Sequence, residues 1–178
     1  MVEQLARVTA GAPFGTVGSA TNADRFTTSD LMAAVSVANL TEYEFNYALV
    51  KGADFLGSLE ELTRLAMVAA QAKKWAITAD DKGKAAELGW VAMLESLWPA
   101  QCKKCGGVGQ VTPDAIVVEC QSCAGKGTHR ISERALAEML GVSRRQVRQR
   151  WGRYFAELMA DNAALDGAIG AAISNKCR

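Results

Sequence analysis

The chain is poor in proline and histidine and has no long apolar run. It contains 3 prolines and 1 histidine in 178 residues, so few positions interrupt a helix and histidine catalysis has a single candidate. No apolar run approaches the roughly 18–20 residues of a membrane span, and residues 1–4 lack the basic start and apolar block of a secretory signal. These absences argue against a membrane protein and predict a protein of a reducing cytosol.

Apolar residues supply 49% of the chain and charged residues 22%, a proportion that excludes a largely disordered protein. A length of 178 residues is sufficient to bury a real hydrophobic core. Alanine and methionine are plentiful while proline is rare, and this balance favours helix. The predicted fold class is therefore mainly α.

The net charge of +1 conceals a strong asymmetry. Residues 1–101 carry 8 basic and 12 acidic side chains, whereas residues 130–153 carry 7 basic and 2 acidic ones. No acidic residue occurs from position 139 through position 156. Such a distribution predicts one face for nucleic acid and another face for a different partner.

The first half of the chain predicts a series of short helices. Residues 1–27 show no hydrophobic period and predict a flexible N-terminal arm, whereas residues 28–99 predict an acidic helical region. Thr28 or Ser29 can cap a helix that opens at Asp30.

Three further helices are predicted in the acidic region. Residues 42–51 form one that stops near Gly52. Ser58 and Glu61 have the spacing of a capping box, which begins the next helix. Asp80 or Asp81 begins a third helix, and Pro99 ends it. The apolar stripe of the helix after Ser58 comprises Leu59, Leu62, Leu65, Ala66, Ala69 and Ala72.

Two Cys-x-x-Cys pairs, separated by 14 residues, dominate residues 100–129. Two residues between cysteines allow one tight turn to aim both sulfurs at a metal, and two such knuckles supply four thiolates at about 2.3 Å. Glycines follow each pair and permit a positive φ where amides fold over the sulfurs. The intervening residues 111–119 fit a hairpin. The predicted ligands of one structural Zn²⁺ ion are Cys102, Cys105, Cys120 and Cys123.

Other uses of these cysteines are less consistent with the pattern. Disulfides or a redox pair would suit an oxidising compartment better. A catalytic zinc would keep an open position, usually with histidine or a carboxylate among its ligands. The only histidine, His129, is predicted to lie at a strand end rather than on the metal.

Residues 130–178 predict a helix-turn-helix followed by a long C-terminal helix, packed with residues 28–99 as one body. Ser132 caps the first helix, Gly141 supplies the left-handed turn, and Ser143 caps the second helix. The buried stripe of the second helix is predicted at Val147, Trp151, Tyr154 or Phe155, and Leu158. The whole fold is then a helical bundle with a helix-turn-helix and an inserted β-hairpin zinc-knuckle module.

The exposed side of the second helix is rich in arginine and glutamine. These side chains read guanine and adenine edges in the major groove, and flanking arginines suit phosphates. A solvated charged helix would normally mix both signs, and a helix-turn-helix used only for protein contact is the other alternative. The predicted DNA-binding residues are Ser143, Arg144, Arg145, Gln146, Arg148, Gln149, Arg150 and Arg153.

Zinc knuckles that run directly into a helix-turn-helix, behind an acidic helical front, resemble the late-gene antiterminator Q family of lambda-like phages. The likeness covers most of residues 28–175, and its matching stretches are 28–35, 102–109, 120–127 and the helical end through 168–169. The resemblance implies a transcription factor without catalytic activity in the cytoplasm of a bacterial host. It also implies that the four cysteines hold zinc and that the helix beginning at Arg144 contacts DNA.

The same resemblance implies two partners, double-stranded DNA at the late promoter and a paused bacterial RNA polymerase, which the protein makes read through terminators. Phosphate would repel the acidic residues 28–98, so we expect this region to serve a contact other than DNA. The loop between the knuckles is short for the family. The helix-turn-helix segment fits the general pattern of that motif more closely than the family leads us to expect.

Three alternatives lie beside this interpretation. The first is a zinc-braced helix-turn-helix regulator that binds DNA without loading onto polymerase. The second is a chaperone-type zinc module, because the knuckles also resemble the cysteine-rich region of the DnaJ co-chaperones; the chain has two such elements rather than four and lacks a His-Pro-Asp signature. The third, an enzyme, is disfavoured because no nucleophile–base pair or phosphate loop is evident.

Overall fold

A computed structural model describes residues 40–53, 55–113 and 116–176, with Ala33, Val35, Ser36 and Ala38 before them. The predicted N-terminal arm and the predicted helix start at Asp30 lie outside the described residues. The chain is mainly helical and divides into two compact units. The helical body combines the described residues up to Leu97 with those from Ser132 onward, and the cysteine module is Trp98–Ile131.

Between residues 40 and 97 the helical body contains three α-helices, α1 (Glu42–Ala53), α2 (Leu59–Ala72) and α3 (Lys82–Leu97). Single 3₁₀ turns, Leu56–Ser58 and Ala79–Asp81, precede α2 and α3. α2 packs along α3, and α3 packs on the C-terminal helix.

Gly89 allows the close approach of α2 and α3. A Cβ at this position would lie 2.5 Å from the Ala66 carbonyl oxygen and 2.6 Å from the Ala70 Cβ. Real Cβ atoms do not approach backbone oxygens so closely, so any larger residue at Gly89 would push the two helices apart.

The predicted cap of α2 does not form, and α1 has a capping box that was not predicted. The capping box predicted at Ser58 is wrong: Ser58 has helical dihedrals (φ −89°, ψ −3°) and its side chain makes no capping hydrogen bond. The preceding 3₁₀ turn causes this, because it already carries the chain into the helix, and Glu61 pairs with Arg64 instead. A capping box forms at Thr41, whose amide donates to the Glu44 carboxylate (2.7 Å) while its hydroxyl accepts from the Glu44 amide.

The buried side of α2 is narrower than predicted. Leu62, Ala66 and Ala70 are buried, whereas Ala69 and Ala72 are exposed. Alanine fits either environment and therefore specifies a helix face weakly.

α1 continues past Gly52 to Ala53.

The helix-turn-helix prediction falls on two helices joined by a tight turn. α4 (Glu133–Met139) begins at Ser132, whose hydroxyl accepts from the Ala135 amide, as predicted. Gly141 lies in the turn with φ +60°. Beyond it a continuous C-terminal helix spans residues 144–176, composed of α5 (Arg144–Gln146), a π-helical turn (Val147–Trp151) and α6 (Gly152–Lys176).

The predicted buried stripe of the C-terminal helix is confirmed. It comprises Val147, Trp151, Tyr154, Phe155 and Leu158. Gly152 directly follows the π turn, and a Cβ at this position would lie 2.9 Å from the Val147 carbonyl oxygen. Glycine thus relieves crowding at the end of the widened turn.

The cysteine module contains two pairs of short antiparallel strands. β1 (Ala100–Gln101) pairs with β4 (Thr128–His129), and β2 (Gln110–Val111) pairs with β3 (Val118–Glu119). The β2–β3 pair confirms the hairpin predicted between the knuckles, and His129 is exposed at the end of β4, as predicted.

Candidate metal centre and nucleic-acid interface

The two knuckles of the cysteine module are related by an internal repeat of 18 residues. The Gly109 amide donates to Cys105 Sγ, and the Gly127 amide donates to Cys123 Sγ, each at 3.2 Å. The knuckles also bind one another, because the Cys102 amide donates to the Gly127 carbonyl and the Cys120 amide to the Gly109 carbonyl, both at 2.8 Å. The two knuckles therefore stabilise one another through reciprocal backbone hydrogen bonds.

Glycine is required at this crossing for two reasons. Gly109 and Gly127 have φ values of +79° and +73°, which side chains rarely adopt. A Cβ on Gly109 would lie 2.2 Å from the Gly125 carbonyl oxygen, and one on Gly127 would lie 2.1 Å from the Gly107 carbonyl oxygen. The predicted positive φ is confirmed, and the close backbone contact between the knuckles is an additional constraint.

The four predicted sulfur ligands form a single cluster. Their Sγ atoms all lie within 4.8 Å of one another, with 3.9 Å between Cys102 and Cys120 and 3.8 Å between Cys105 and Cys123. A regular tetrahedron with metal–sulfur bonds of about 2.3 Å has edges of about 3.8 Å. The donor set and its spacing thus fit one metal ion.

Burial and hydrogen bonding act on the thiols in opposite directions. Desolvation by burial raises the pKa of Cys102, but hydrogen bonds from the backbone of Cys105 and Lys104 lower it, to about 5 on balance. Desolvation by burial and the neighbouring sulfurs raise the pKa of Cys123 to about 11. Four adjacent thiolates repel one another, so a cation is needed to hold all four deprotonated.

The predicted DNA-binding residues fall into two groups. Ser143 and Gln146 cap the C-terminal helix: the Ser143 hydroxyl accepts from the Gln146 amide, and the Gln146 side-chain oxygen accepts from the Ser143 amide (2.9 Å). Arg150 pairs with Asp81 at 2.8 Å and lies 4.6 Å from the Trp151 ring centroid. These three side chains already have partners in the helical body.

The other five predicted residues are exposed along the C-terminal helix, and we refer to them as the arginine surface: Arg144, Arg145, Arg148, Gln149 and Arg153. Arg148 pairs with Glu133 at 3.3 Å, with side chains 64% and 57% exposed. Arg153 lies over the Tyr154 ring at 5.1 Å. Arg144 and Arg145 make no ion pair with any described residue.

Residues 75–81 contact the C-terminal helix, although the sequence pattern predicted no such role for them. The Trp75 ring stacks on Tyr154 at 4.5 Å and 11°, and its indole N–H donates to Glu157 (2.9 Å). Together with the Arg150–Asp81 pair, these contacts hold residues 75–81 along the C-terminal helix. The available sequence signal was Trp75 itself, because a large aromatic residue in a loop indicates a contact with the body of the protein.

Comparisons with known proteins assign this chain to no family. No protein-family model matches it, and no curated protein matches it significantly. In the part of the chain that the structure describes, no helix has both the length and the apolarity needed to cross a bilayer. The function is therefore proposed from the cysteine cluster and the arginine surface.

Proposed function

We propose that this chain is a DNA-binding transcription factor that acts as a phage late-gene antiterminator and carries one structural zinc ion. Two exposed residues, Arg144 and Arg145, carry this proposal. They occupy the first turn of a helix that follows a tight glycine turn, and no described acidic side chain neutralises them.

The position of these arginines matches the way a helix-turn-helix reads DNA. The second helix enters the major groove, and residues near its N-terminus contact base edges. Arginine can donate two hydrogen bonds to guanine in a geometry that no other base reproduces. We therefore assign base recognition to Arg144 and Arg145, with Gln149 one turn further along.

Arg148 and Arg153 are assigned to phosphates. The Arg148–Glu133 pair is well exposed on both sides, and such surface pairs are worth little. A phosphate can therefore replace Glu133 as the partner of Arg148 at small cost. Ser143 and Gln146 are assigned to capping the start of this helix, and Arg150 to holding it against Asp81, since their polar groups are engaged within the protein.

The zinc assignment follows from the donor set. Four thiolates complete a tetrahedral shell and leave no open position, which is the arrangement of a structural site rather than a catalytic one. The module buries few apolar side chains besides the cysteines, so metal binding would supply most of its folding free energy. We propose no enzymatic activity.

Antitermination and RNA polymerase binding are proposed from the resemblance to the Q family. The test has two stages. A binding site is first selected from a pool of random duplexes with the purified protein. Transcription by purified bacterial RNA polymerase is then followed on a template that carries this site in a promoter, ahead of a terminator.

Full-length transcript that accumulates only with the protein would support antitermination. Arg145→Ala should weaken DNA binding and readthrough together, whereas replacement of Arg64, an exposed and paired arginine on α2, by alanine should weaken neither. Site-specific binding without readthrough would replace the proposal with a regulator that does not load onto polymerase. The absence of any duplex binding would refute both functions.

A further inference from the structure

We propose that Lys74 and Lys82, in the acidic helical region, bind backbone phosphates of the DNA duplex that the arginine surface contacts. This inference rests on the proposed function and extends the DNA surface beyond the helix-turn-helix. It revises the expectation that residues 28–98 serve only a contact other than DNA.

The chain between these lysines is held against the DNA-binding helix. Asp81, next to Lys82, pairs with Arg150. Trp75, next to Lys74, stacks on Tyr154 and donates to Glu157. The segment therefore follows the C-terminal helix, and its two ends are fixed close to positions 150 and 154.

The lysines of this segment differ in whether their charge is neutralised. Lys73 pairs with Glu157 (3.2 Å) and Asp161 (2.5 Å), and Lys84 pairs with Asp81 (3.6 Å). Lys74 and Lys82 are exposed and make no ion pair with any described residue. Two exposed ammonium groups without an ionic partner among the described residues therefore lie on the segment that contacts the C-terminal helix.

Lys74 and Arg153 each adjoin a residue of the same aromatic stack. The Arg153 guanidinium lies over Tyr154, and the Tyr154 ring stacks on the ring of Trp75, the residue after Lys74. A lysine ammonium acts as a point charge that favours phosphate over base edges. Such contacts position a protein on a duplex without adding sequence preference.

The experiment measures the salt dependence of binding to a fluorescein-labelled duplex of mixed sequence, by anisotropy, with the full chain loaded with zinc. Each phosphate contact contributes about 0.9 to the slope of log K against log salt. Lys74→Ala and Lys82→Ala should each lower the slope by about that amount, and the double variant by about 1.8. Lys84→Ala is the matched control and should leave the slope unchanged.

The outcomes separate this inference from the proposed function. Unchanged slopes in the double variant, with a lowered slope in Arg153→Ala, would overturn the lysine contacts and leave the DNA-binding helix in place. Unchanged slopes in all variants would overturn both. A preference of the wild-type protein for unstructured RNA over duplex would also overturn the inference. Circular dichroism should show no loss of helix in either lysine variant.

Discussion

The internal repeat of the cysteine module offers a paired test of its backbone. Ala124 and Gly106 occupy equivalent positions in the two knuckles, with φ of +48° and +60°. Ala124 is the only non-glycine residue with positive φ among the described residues. Exchanging the two residue types, Ala124→Gly and Gly106→Ala, should therefore shift the stability of the module in opposite directions.

The magnitude follows from two opposing terms. A side chain in the left-handed region costs roughly 1–2 kcal/mol. Glycine has more conformational entropy than alanine in the unfolded chain, and this difference offsets about 0.4–1 kcal/mol of the cost. We expect Ala124→Gly to stabilise the module by about 0.5–1 kcal/mol and Gly106→Ala to destabilise it by a similar amount. Nothing lies within 4 Å of a Cβ at Gly106, so its effect comes from the backbone alone.

For the zinc site proposed above, affinity for the metal is the appropriate measurement, because metal binding and folding of such a module are coupled. In a chelator competition assay, about 0.5–1 kcal/mol corresponds to a ~2- to 5-fold change in affinity. Ala124→Gly should bind zinc more tightly and Gly106→Ala more weakly than the wild-type chain. Equal affinity in all three proteins, or a weaker Ala124→Gly variant, would refute the account of the knuckle backbone.

Three further changes test the rest of the molecule. Cys120→Ser opens the thiolate shell, so elemental analysis of the purified variant should find little or no zinc; stoichiometric zinc would contradict the closed site. Arg145→Ala should cost about 1–3 kcal/mol on the selected DNA site and relax its base preference, whereas Arg64→Ala should do neither. Val147→Asp places an unpaired charge in the core and should cost several kcal/mol in urea unfolding, while the exposed Val68→Asp should stay within about 0.5 kcal/mol; similar costs would show that Val147 is not a core position.

Local signals predicted the cysteine cluster and both helix starts around Gly141. Cysteine spacing is a short-range property, and so are the hydroxyl caps at Ser132 and Ser143. Ser58 shows the limit of such signals, because the same spacing fails once a 3₁₀ turn alters the dihedrals before it. A local pattern predicts a cap only where the preceding backbone is extended.

Long-range contacts supply the partners that the sequence did not predict. Arg150 pairs with Asp81, which lies 69 positions earlier in the sequence, and the prediction of a DNA contact at Arg150 did not include this partner. The Trp75–Tyr154 stack likewise joins distant segments. No periodicity within either segment encodes such a pairing, since it depends on how α3 and the C-terminal helix pack.

The π-helical turn at Val147–Trp151 determines how the C-terminal helix responds to a change in its length. Each residue of an α-helix advances the side-chain direction by about 100° and 1.5 Å. The widened turn holds Val147 and Trp151 in the core while the helix before it begins at Arg144. A π turn holds about one residue more than an α-helical turn, so loss of one residue from it would let the turn close to α geometry and would leave the direction of Arg144 and Arg145 nearly unchanged. The DNA surface proposed for these arginines should therefore tolerate a one-residue deletion at this turn, whereas the same deletion within a regular α-helical stretch would rotate the preceding side chains by about 100°.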